Sequence, residues 1–299
     1  MDNKILTKAQ DIIDKRKYTA ENKALDNKIK ALNNPEFKAL YNEYMTVMLD
    51  EAKQGIGFSN KTKQLKEKVD SLLKQLNLYP IEPQYSCKKC NDNGRIDGKY
   101  CDCLKKELNE LLVKESGFNK LEDFDEVNFD IFTNQKEMKY LYQKMKEWCN
   151  SKFDKNLIFL GGETGVGKTF LMKCMAKELI KKNKLVTLTT SFAMNQDFLK
   201  SYSTRDLEAK DSLLDKYLNS EVLFIDDLGT ELRQPNITVK YLYLILNERK
   251  INNLPTIITS NLNLEDINDY YDERISSRIA NQQTSICLYL KGEDLRLKK

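Results

Sequence analysis

The sequence predicts an α/β fold with a parallel five-stranded sheet, preceded by a helical region and a small four-cysteine module. From about Leu157 onward, short apolar runs alternate with helical segments, which is typical of strands covered by helices on both faces. One of these runs leads into a glycine-rich loop and a helix, the context of a phosphate-binding loop. The predicted strands are residues 157–160, 185–189, 222–225, 255–259 and 285–290.

Composition and charge limit the classes of protein that fit. Of the 299 residues, 40% are apolar and 31% are charged, and the net charge of +4 excludes a strongly basic, histone-like protein. There is no apolar run of 18 residues, and the N-terminal residues lack the features of a secretory signal. We therefore expect a cytoplasmic protein, in which clustered cysteines indicate metal binding rather than disulfides.

Residues 1–80 are predicted to form a helical domain. Asn34-Pro35 is a helix start signal, and two apolar stripes at helical spacing follow it. The stripes comprise Phe37, Leu40, Tyr41, Tyr44, Met45 and Met48, and then Leu65, Val69, Leu72, Leu73 and Leu76. They fit either the core of a small bundle or a face that binds a partner.

Residues 81–116 are predicted to be a zinc module. Cys87-x-x-Cys90 and Cys101-x-Cys103 are two close pairs that can converge on one Zn²⁺ ion. The chain has no histidine, so all four ligands must be thiolates. Reduced thiols, a redox pair or an iron–sulfur cluster are the alternatives. A structural role is expected, because so small a module cannot fold on apolar burial alone.

The module is predicted to run into a helix at residues 104–115. Residues 117–154 are interpreted as a linker and the start of the next domain, which is predicted to span residues 155–299. Here the loop GETGVGKT satisfies G-x-x-x-x-G-K-[ST], so we expect it to bind the phosphates of ATP. Lys168 would reach the β- and γ-phosphates, and the Thr169 hydroxyl would bind Mg²⁺. The predicted nucleotide-binding residues are Gly162, Glu163, Thr164, Gly165, Val166, Gly167, Lys168 and Thr169.

An acidic strand, VLFIDDLG, carries the next two candidates. Asp226 is predicted to bind Mg²⁺, and Asp227 to orient or deprotonate the attacking water. We expect this strand to lie beside the strand that precedes the phosphate loop. Ligands bind at the carboxyl ends of strands in open α/β sheets, which is where the two aspartates emerge. A simple turn or helix cap is the alternative.

Three polar residues farther along are weaker candidates. Asn261 follows a predicted central strand, where it could hydrogen-bond the γ-phosphate or the attacking water, or simply end the strand. Arg274 and Arg278 are four residues apart and therefore share a helix face. Either could stabilise charge on a transferring phosphoryl group, in the same chain or a neighbouring one, or be an ordinary surface arginine.

Several segments together resemble a known family. FIDDLGTE, LYLILNERKINNLPTIITSNL, ERISSRI and the upstream CKKCNDNGRIDGKYCDCLK are similar to bacterial replicative helicase loaders of the DnaC/DnaI type. The resemblance implies an AAA+ ATPase core with strand order 5-1-4-3-2. It identifies Gly162–Thr169 as Walker A, Asp226 and Asp227 as Walker B, and Asn261 as sensor 1.

Two arginines take roles from the same resemblance. Arg278 would be the arginine finger that acts on the next subunit, and Arg296 the sensor 2 residue, with a surface arginine as the alternative for Arg296. Only 38 residues follow Asn261, too few for a separate helical lid, which agrees with the loader branch. Many AAA+ proteins have glutamate where Asp227 stands, so we expect slow or conditional hydrolysis.

The implied function is ATP-dependent loading of a hexameric replicative helicase onto single-stranded DNA, as part of a primosome in replication initiation or restart. The N-terminal domain would bind the helicase, and ATP would favour self-association. Candidate DNA contacts are Phe192, Lys200, Tyr202 and Arg205, although core packing explains the aromatic residues equally well. The alternatives are a transposition helper ATPase that acts on duplex DNA with a transposase, and a nucleotide-binding adaptor with little turnover.

Overall fold

The structure is a computed structural model that describes residues 3–55, 57–118 and 120–297. The chain separates into two compact units. One comprises Gln10–Cys103, and the other comprises Met1–Ala9 together with Leu104–Lys299.

The first unit contains the predicted helices from Gln10 onward. The Asn34 side chain accepts a hydrogen bond from the backbone N–H of Phe37 (3.0 Å), which confirms the predicted helix start. Phe37, Val69 and Leu73 are buried together, whereas Met48 is only partly buried and lines a groove. The stripes therefore build a small core and also leave apolar surface exposed. The helices are α1 (Asn3–Leu32), α2 (Pro35–Lys53) and α3 (Asn60–Gln75).

The cysteine segment forms a hairpin followed by a helix. Strands β1 (Arg95–Ile96) and β2 (Lys99–Tyr100) pair antiparallel. Asp97 and Gly98 join them, both with positive φ, as a tight turn requires. Helix α4 (Asp102–Glu115) begins two residues before the predicted start, so Cys103 belongs to its first turn.

Residues 117–154, which the sequence predicted to contain a linker, are packed into the second unit. They contain two 3₁₀ turns, Phe124–Glu126 and Phe129–Ile131, and helix α5 (Gln135–Cys149). Phe118, Phe124 and Phe132 are buried in the same apolar core as β3 of the sheet. This segment is therefore an integral part of the second unit.

The second unit is built on a five-stranded parallel sheet. Its strands are β3 (Leu157–Gly162), β4 (Val186–Thr190), β5 (Val222–Leu228), β6 (Thr256–Ser260) and β7 (Ser285–Leu290). They lie in the order β4-β5-β6-β3-β7, which is 5-1-4-3-2 read from the other edge with β3 as strand 1. The predicted order is confirmed. The expectation that the acidic strand adjoins the phosphate-loop strand is wrong, because β6 lies between β5 and β3.

Both faces of the sheet are covered by helices. Ile158 and Leu160 of β3 pack into the core on one face, and Leu157 and Phe159 into the core on the other, as the alternation of side chains along a strand requires. The covering helices are α6 (Lys168–Lys181), α7 (Ser191–Ser203), α8 (Leu207–Leu218), α9 (Lys240–Ile251), α10 (Leu264–Tyr270) and α11 (Glu273–Ile279).

The described chain after β6 contains two short helices and the edge strand β7. Among described residues 262–297, α10, α11, β7 and the 3₁₀ turn Leu295–Leu297 are the only regular elements, and none forms a separate helical lid. Within the described ranges, no helix has the length and apolar character needed to cross a membrane.

Arg249 of α9 joins several elements at the amino end of the sheet. Its guanidinium is buried and donates hydrogen bonds to the carbonyl oxygens of Tyr217 (2.8 Å), Ser220 (2.9 Å) and Pro255 (2.7 Å) and to Oγ1 of Thr256 (2.9 Å). These partners lie at the end of α8, before β5 and at the start of β6. The charge is therefore solvated by polar groups of the protein itself.

Candidate nucleotide-binding site

The glycine-rich loop between β3 and α6 is tightly packed. Gly162 and Gly165 have φ values of 145° and 82°, which side chains rarely adopt. A Cβ atom on Gly162 would lie 2.2 Å from the carbonyl oxygen of Leu290, and one on Gly165 would lie 2.0 Å from Oδ1 of Asp294. The loop therefore needs glycine at both positions and lies directly against the segment around and after the end of β7.

The Lys168 ammonium is buried at the end of this loop. Its Nζ donates hydrogen bonds to the carbonyl oxygens of Gly162 (2.8 Å) and Glu163 (2.6 Å) and to Oδ1 of Asn261 (2.8 Å). Burial lowers the pKa of Lys168, and the carboxylates of Asp227 and Asp226 oppose that effect. Lys168 and Asn261, which are 93 positions apart in the chain, are thus in direct contact.

Asp226 lies at the centre of a hydroxyl network. Its Oδ1 accepts hydrogen bonds from Oγ1 of Thr169 (2.9 Å) and Oγ1 of Thr259 (2.5 Å). Burial raises the pKa of Asp226, and these two hydrogen bonds oppose the rise. A carboxylate next to a hydroxyl offers the hard oxygen atoms that Mg²⁺ prefers, so Asp226 and Thr169 fit the predicted ion.

Thr259 is a residue that the sequence analysis missed. Its hydroxyl donates to Asp226 and at the same time accepts the backbone N–H of Asp227 (2.9 Å). It therefore fixes both aspartates from the neighbouring strand β6. In the sequence, a threonine within a predicted strand indicates only a high propensity for β-structure. Its place two residues before Asn261 is the signal that could have identified it.

Asp227 has an unusual backbone. Its φ is +54°, and the pairing of β5 with β6 is irregular between Ile225 and Leu228. Its carbonyl oxygen accepts hydrogen bonds from the hydroxyls of Ser191 (2.7 Å) and Thr230 (2.8 Å). Such bulges re-aim side chains, and the cost in backbone strain is compensated by these contacts. The Asp227 side chain borders the nucleotide cavity.

A cavity of about 410 Å³ lies at this site, and Asp226 adjoins it through its hydrogen bond from Thr169. Lys168, Thr169, Asp227 and Asn261 lie on its polar side, together with Arg296. The remaining walls are mostly apolar. They are formed by Val127, Asn128, Ile131 and Phe132 from the segment before α5, by Phe170 and Leu295, and by the loop residues Thr164, Gly165 and Gly167. The size and the mixed lining suit a nucleotide, with a polar end for phosphates and an apolar end for a base.

The apolar side was not predicted, because no motif marks residues 127–132. Ion pairs hold the chain just before that segment against α6, the helix that follows the phosphate loop. The Asp123 carboxylate lies 2.6 Å from Nζ of Lys181 and 3.4 Å from Nζ of Lys177. The hydrogen bond from Lys181 lowers the pKa of Asp123 well below its usual range. An acidic residue, Asp123, close to several phenylalanines is the sequence signal that could have identified this segment.

The predicted arginines are in different places. Arg296 lines the cavity, whereas Arg274 and Arg278 do not. Nη2 of Arg278 donates to the Tyr243 hydroxyl (2.7 Å) and to Oδ1 of Asn247 (2.7 Å), and the guanidinium carbon lies 4.1 Å from the centre of the Tyr243 ring. Arg274 is exposed and pairs with Asp272. Their predicted action on a neighbouring chain remains a prediction.

The four predicted cysteines meet at one point. Their sulfur atoms all lie within 4.8 Å of one another, with 3.7 Å between Cys87 and Cys101 and 3.4 Å between Cys90 and Cys103. Zinc–sulfur bonds of about 2.3 Å in tetrahedral geometry place sulfur atoms about 3.8 Å apart. The cluster therefore fits a tetrahedral zinc ion.

A buried aspartate shapes the loop that holds the first two cysteines. Asp92 accepts hydrogen bonds from the backbone N–H groups of Ser86 (2.7 Å) and Cys87 (2.9 Å), and the N–H of Gly94 points at the sulfur of Cys90 (3.3 Å). Backbone N–H groups that point at a sulfur stabilise its thiolate form. The surroundings of Cys90 thus suit a metal ligand.

Comparison with known proteins identifies the family. Residues 104–299, about two thirds of the chain, match the family described as IstB-like ATP binding protein. The chain belongs to this family. The match confirms an ATP-binding domain over these residues and agrees with the ATP ligand that the phosphate loop predicts.

Individual relatives are more distant. The chain is 31% identical to the Bacillus subtilis (strain 168) protein YqaM over 67% of its own length, and the match spans 65% of YqaM, just under two thirds. It is 27% identical to phage-like element PBSX protein XkdC of the same strain, over 70% of this chain and 84% of XkdC. The crystal structure of the DnaC helicase loader has a TM-score of 0.48 at 21% identity and covers 56% of this chain and 96% of that one.

Proposed function

We propose that this protein is an ATP-dependent loader of a hexameric replicative helicase onto single-stranded DNA. The observation that carries the proposal is the convergence of Lys168, Thr169, Asp227 and Asn261 on one cavity, with Asp226 hydrogen-bonded to Thr169 beside it. Two further observations support it. The sequence motifs resemble those of the DnaC/DnaI type, and the helices and four cysteines form a separate compact unit.

Each side chain has a role in ATP hydrolysis that its contacts support. Lys168 would bind the terminal phosphates, and Thr169 and Asp226 would hold a Mg²⁺ ion, which would supply positive charge against the phosphates. Asp227, whose backbone is fixed by Ser191 and Thr230, orients the attacking water. Because the Asp227 side chain is shorter than that of glutamate, we expect slow turnover.

Single-stranded DNA is expected to bind along α7. Phe192 and Tyr202 are 56% and 64% exposed, so core packing does not explain these aromatic residues. Lys200 and Arg205 are exposed nearby in the chain. Exposed aromatic rings stack with bases and basic side chains bind phosphates, the combination that sequence-tolerant single-strand binding requires.

The helicase is expected to bind the helical unit. On α1, the side chains of Tyr18, Leu25 and Ile29 lie on one face and are 68%, 55% and 50% exposed. Apolar side chains at this spacing on an open helix face suit a protein partner. ATP-dependent self-association, with Arg278 completing the site of the next subunit, belongs to the same proposal.

A loading assay on circular single-stranded DNA tests the proposal. The full-length protein should increase the amount of helicase that unwinds an annealed oligonucleotide in the presence of ATP. Lys168→Ala should abolish this increase, whereas Lys152→Ala, at an exposed site outside the cavity, should not. Stimulation that survives Lys168→Ala would favour an adaptor with little turnover.

Helicase binding is tested separately by co-purification. Ile29→Glu should weaken the complex, because it places a charge in the apolar face of α1, whereas Lys30→Glu at the adjacent exposed position should have little effect. Equal binding of both variants would remove α1 from the proposed interface.

The family match favours a second candidate, a transposition helper ATPase, since the family is described as IstB-like. Such a protein acts on duplex DNA with a transposase. Stronger ATPase stimulation by duplex than by single-stranded DNA, with no binding to the helicase, would support this alternative. The helical unit with its four cysteines favours the loader.

A further inference from the structure

The segment that follows β7 is built against the phosphate loop. The backbone N–H of Leu295 donates to the carbonyl oxygen of Gly165 (3.0 Å). The carboxylate of Asp294 packs so closely on Gly165 that a Cβ atom there would lie 2.0 Å from Oδ1. The loop and this segment therefore constrain each other at a glycine that the nucleotide motif already requires.

Asp294 also holds Arg296. Its Oδ1 accepts hydrogen bonds from the backbone N–H (3.0 Å) and from Nε (3.0 Å) of Arg296, and its Oδ2 accepts one from Nη2 (2.8 Å). Two parallel side-chain bonds fix the plane of a guanidinium, which a single point contact does not. The Nη1 donors have no part in these bonds.

Arg296 belongs to the polar side of the cavity. It lines the cavity with Lys168, Asp227 and Asn261. Hydrogen bonding to Asp294 raises the pKa of Arg296, and the Asp227 carboxylate adds to that rise. The Arg296 charge in turn contributes to lowering the pKa of Lys168, after the larger effect of burial. The guanidinium therefore acts on the residues assigned to the terminal phosphates.

We propose that Asp294 is a positioning residue that holds the Arg296 guanidinium at the phosphate end of the cavity, so that ATP affinity depends on Asp294 through Arg296. The proposal deepens the proposed function and rests on ATP binding in this cavity. Asp294 would not contact the nucleotide. It would set the position of the Arg296 guanidinium relative to the terminal phosphate of ATP. The affinity for ATP would therefore depend on Asp294 more than the affinity for ADP does.

The test measures the affinities of ATP and ADP for the full-length protein, by fluorescence of labelled nucleotides at low protein concentration. Asp294→Ala should weaken ATP binding about tenfold, and Asp294→Asn about threefold, since the amide keeps the shape and one acceptor but loses the charge. ADP affinity should change less. In an Arg296→Ala background, Asp294→Asn should have no further effect.

The chain offers a matched control. Asp272 and Arg274 form a pair of the same residue types at the same spacing, outside the nucleotide cavity, with Nε and Nη2 of Arg274 both bound to Oδ2 of Asp272. Asp272→Asn should leave both affinities unchanged.

Five results would overturn the proposal. Tighter ATP binding by Asp294→Asn would mean that the carboxylate competes for Arg296. Equal losses for ATP and ADP, or a loss that persists with Arg296→Ala, would mean that it only supports the loop. Wild-type protein that binds no ATP would overturn the nucleotide assignment as well, whereas wild-type binding with unaltered variants would overturn this inference alone.

Discussion

The nucleotide site joins Lys168 to a residue 93 positions away, whereas the four cysteines lie within 17 positions of one another. The long-range site is held by the buried sheet, whose strands carry apolar side chains into two cores. The local site has almost no core of its own. In residues 82–103, the only buried apolar side chains are those of Cys90 and Cys101.

The contrast separates two ways of positioning functional side chains. In the nucleotide site, burial of apolar surface supplies the free energy, and hydrogen bonds such as those of Thr259 set the final geometry. In the cysteine site, the four thiol groups are themselves the core, and a bound metal would supply the free energy that apolar burial does not. Removing the metal should therefore affect only one of the two.

The largest effect is expected from metal removal. Chelation should unfold residues 86–103, because zinc binding to such sites contributes roughly 10 kcal/mol or more. Hydrogen exchange should show lost protection there, while β3–β7 stay protected. Purified reduced protein should contain about one zinc per chain.

Single substitutions sharpen the same test. Cys90→Ser and Cys101→Ser should each lower the zinc content, whereas Cys287→Ser, at the exposed cysteine outside the cluster, should not. Full protection of residues 86–103 after complete metal removal would contradict the contrast between the two sites.

An intermediate effect is expected at Thr259. Thr259→Val keeps the shape of the side chain but removes the hydroxyl that joins Asp226 to the backbone of Asp227, so ATPase turnover should fall about tenfold. Thr259→Ser retains the hydroxyl and should keep most of the activity. Unchanged turnover in the valine variant would mean that the sheet alone positions both aspartates.

A small effect is expected at Asp123, whose pKa is lowered by its hydrogen bond from Lys181. The unfolded chain therefore binds the proton more readily, and the stabilisation is present above the unfolded pKa and is lost as the pH falls through the folded pKa. Both lysines are partly exposed, so the contribution should be less than about 1 kcal/mol. Asp123→Asn should reduce stability at neutral pH and leave it unchanged in acid, as measured by urea unfolding. A loss of equal size at both pH values would exclude the ion pair as its cause.

Much of this arrangement could be predicted from the sequence. Apolar runs gave the five strands to within three residues, and the Asn34 signal gave the helix start, because these patterns depend on local burial and capping. The convergence of Lys168, Asp226 and Asn261 followed from motif order, since parallel strands bring their carboxyl ends to one edge.

Other features depend on contacts that no local pattern encodes. The apolar character of β5 shows that it is buried but not which strand is its neighbour, so its expected place beside β3 was wrong. Val127 and Phe132 lie in irregular chain without periodicity, and their place at the cavity depends on packing against α5 and α6. No sequence pattern distinguishes Asp294 from other acidic residues. Its role depends on its contacts with Gly165 and Arg296, which only the structure shows.

Arg249 limits which substitutions the second unit can tolerate. Its guanidinium donates hydrogen bonds to acceptors in three separate segments, and a lysine, with one nitrogen atom, could reach only some of them. An apolar residue of similar length would leave several buried carbonyl groups unsatisfied at once. Neither kind of replacement satisfies all of these acceptors. We therefore expect a substitution at position 249 to be tolerated only when the loops before β5 and β6 are also changed. A side chain far from the nucleotide cavity thus constrains the sequence and conformation of the segments around it, as a bound ligand constrains its binding site.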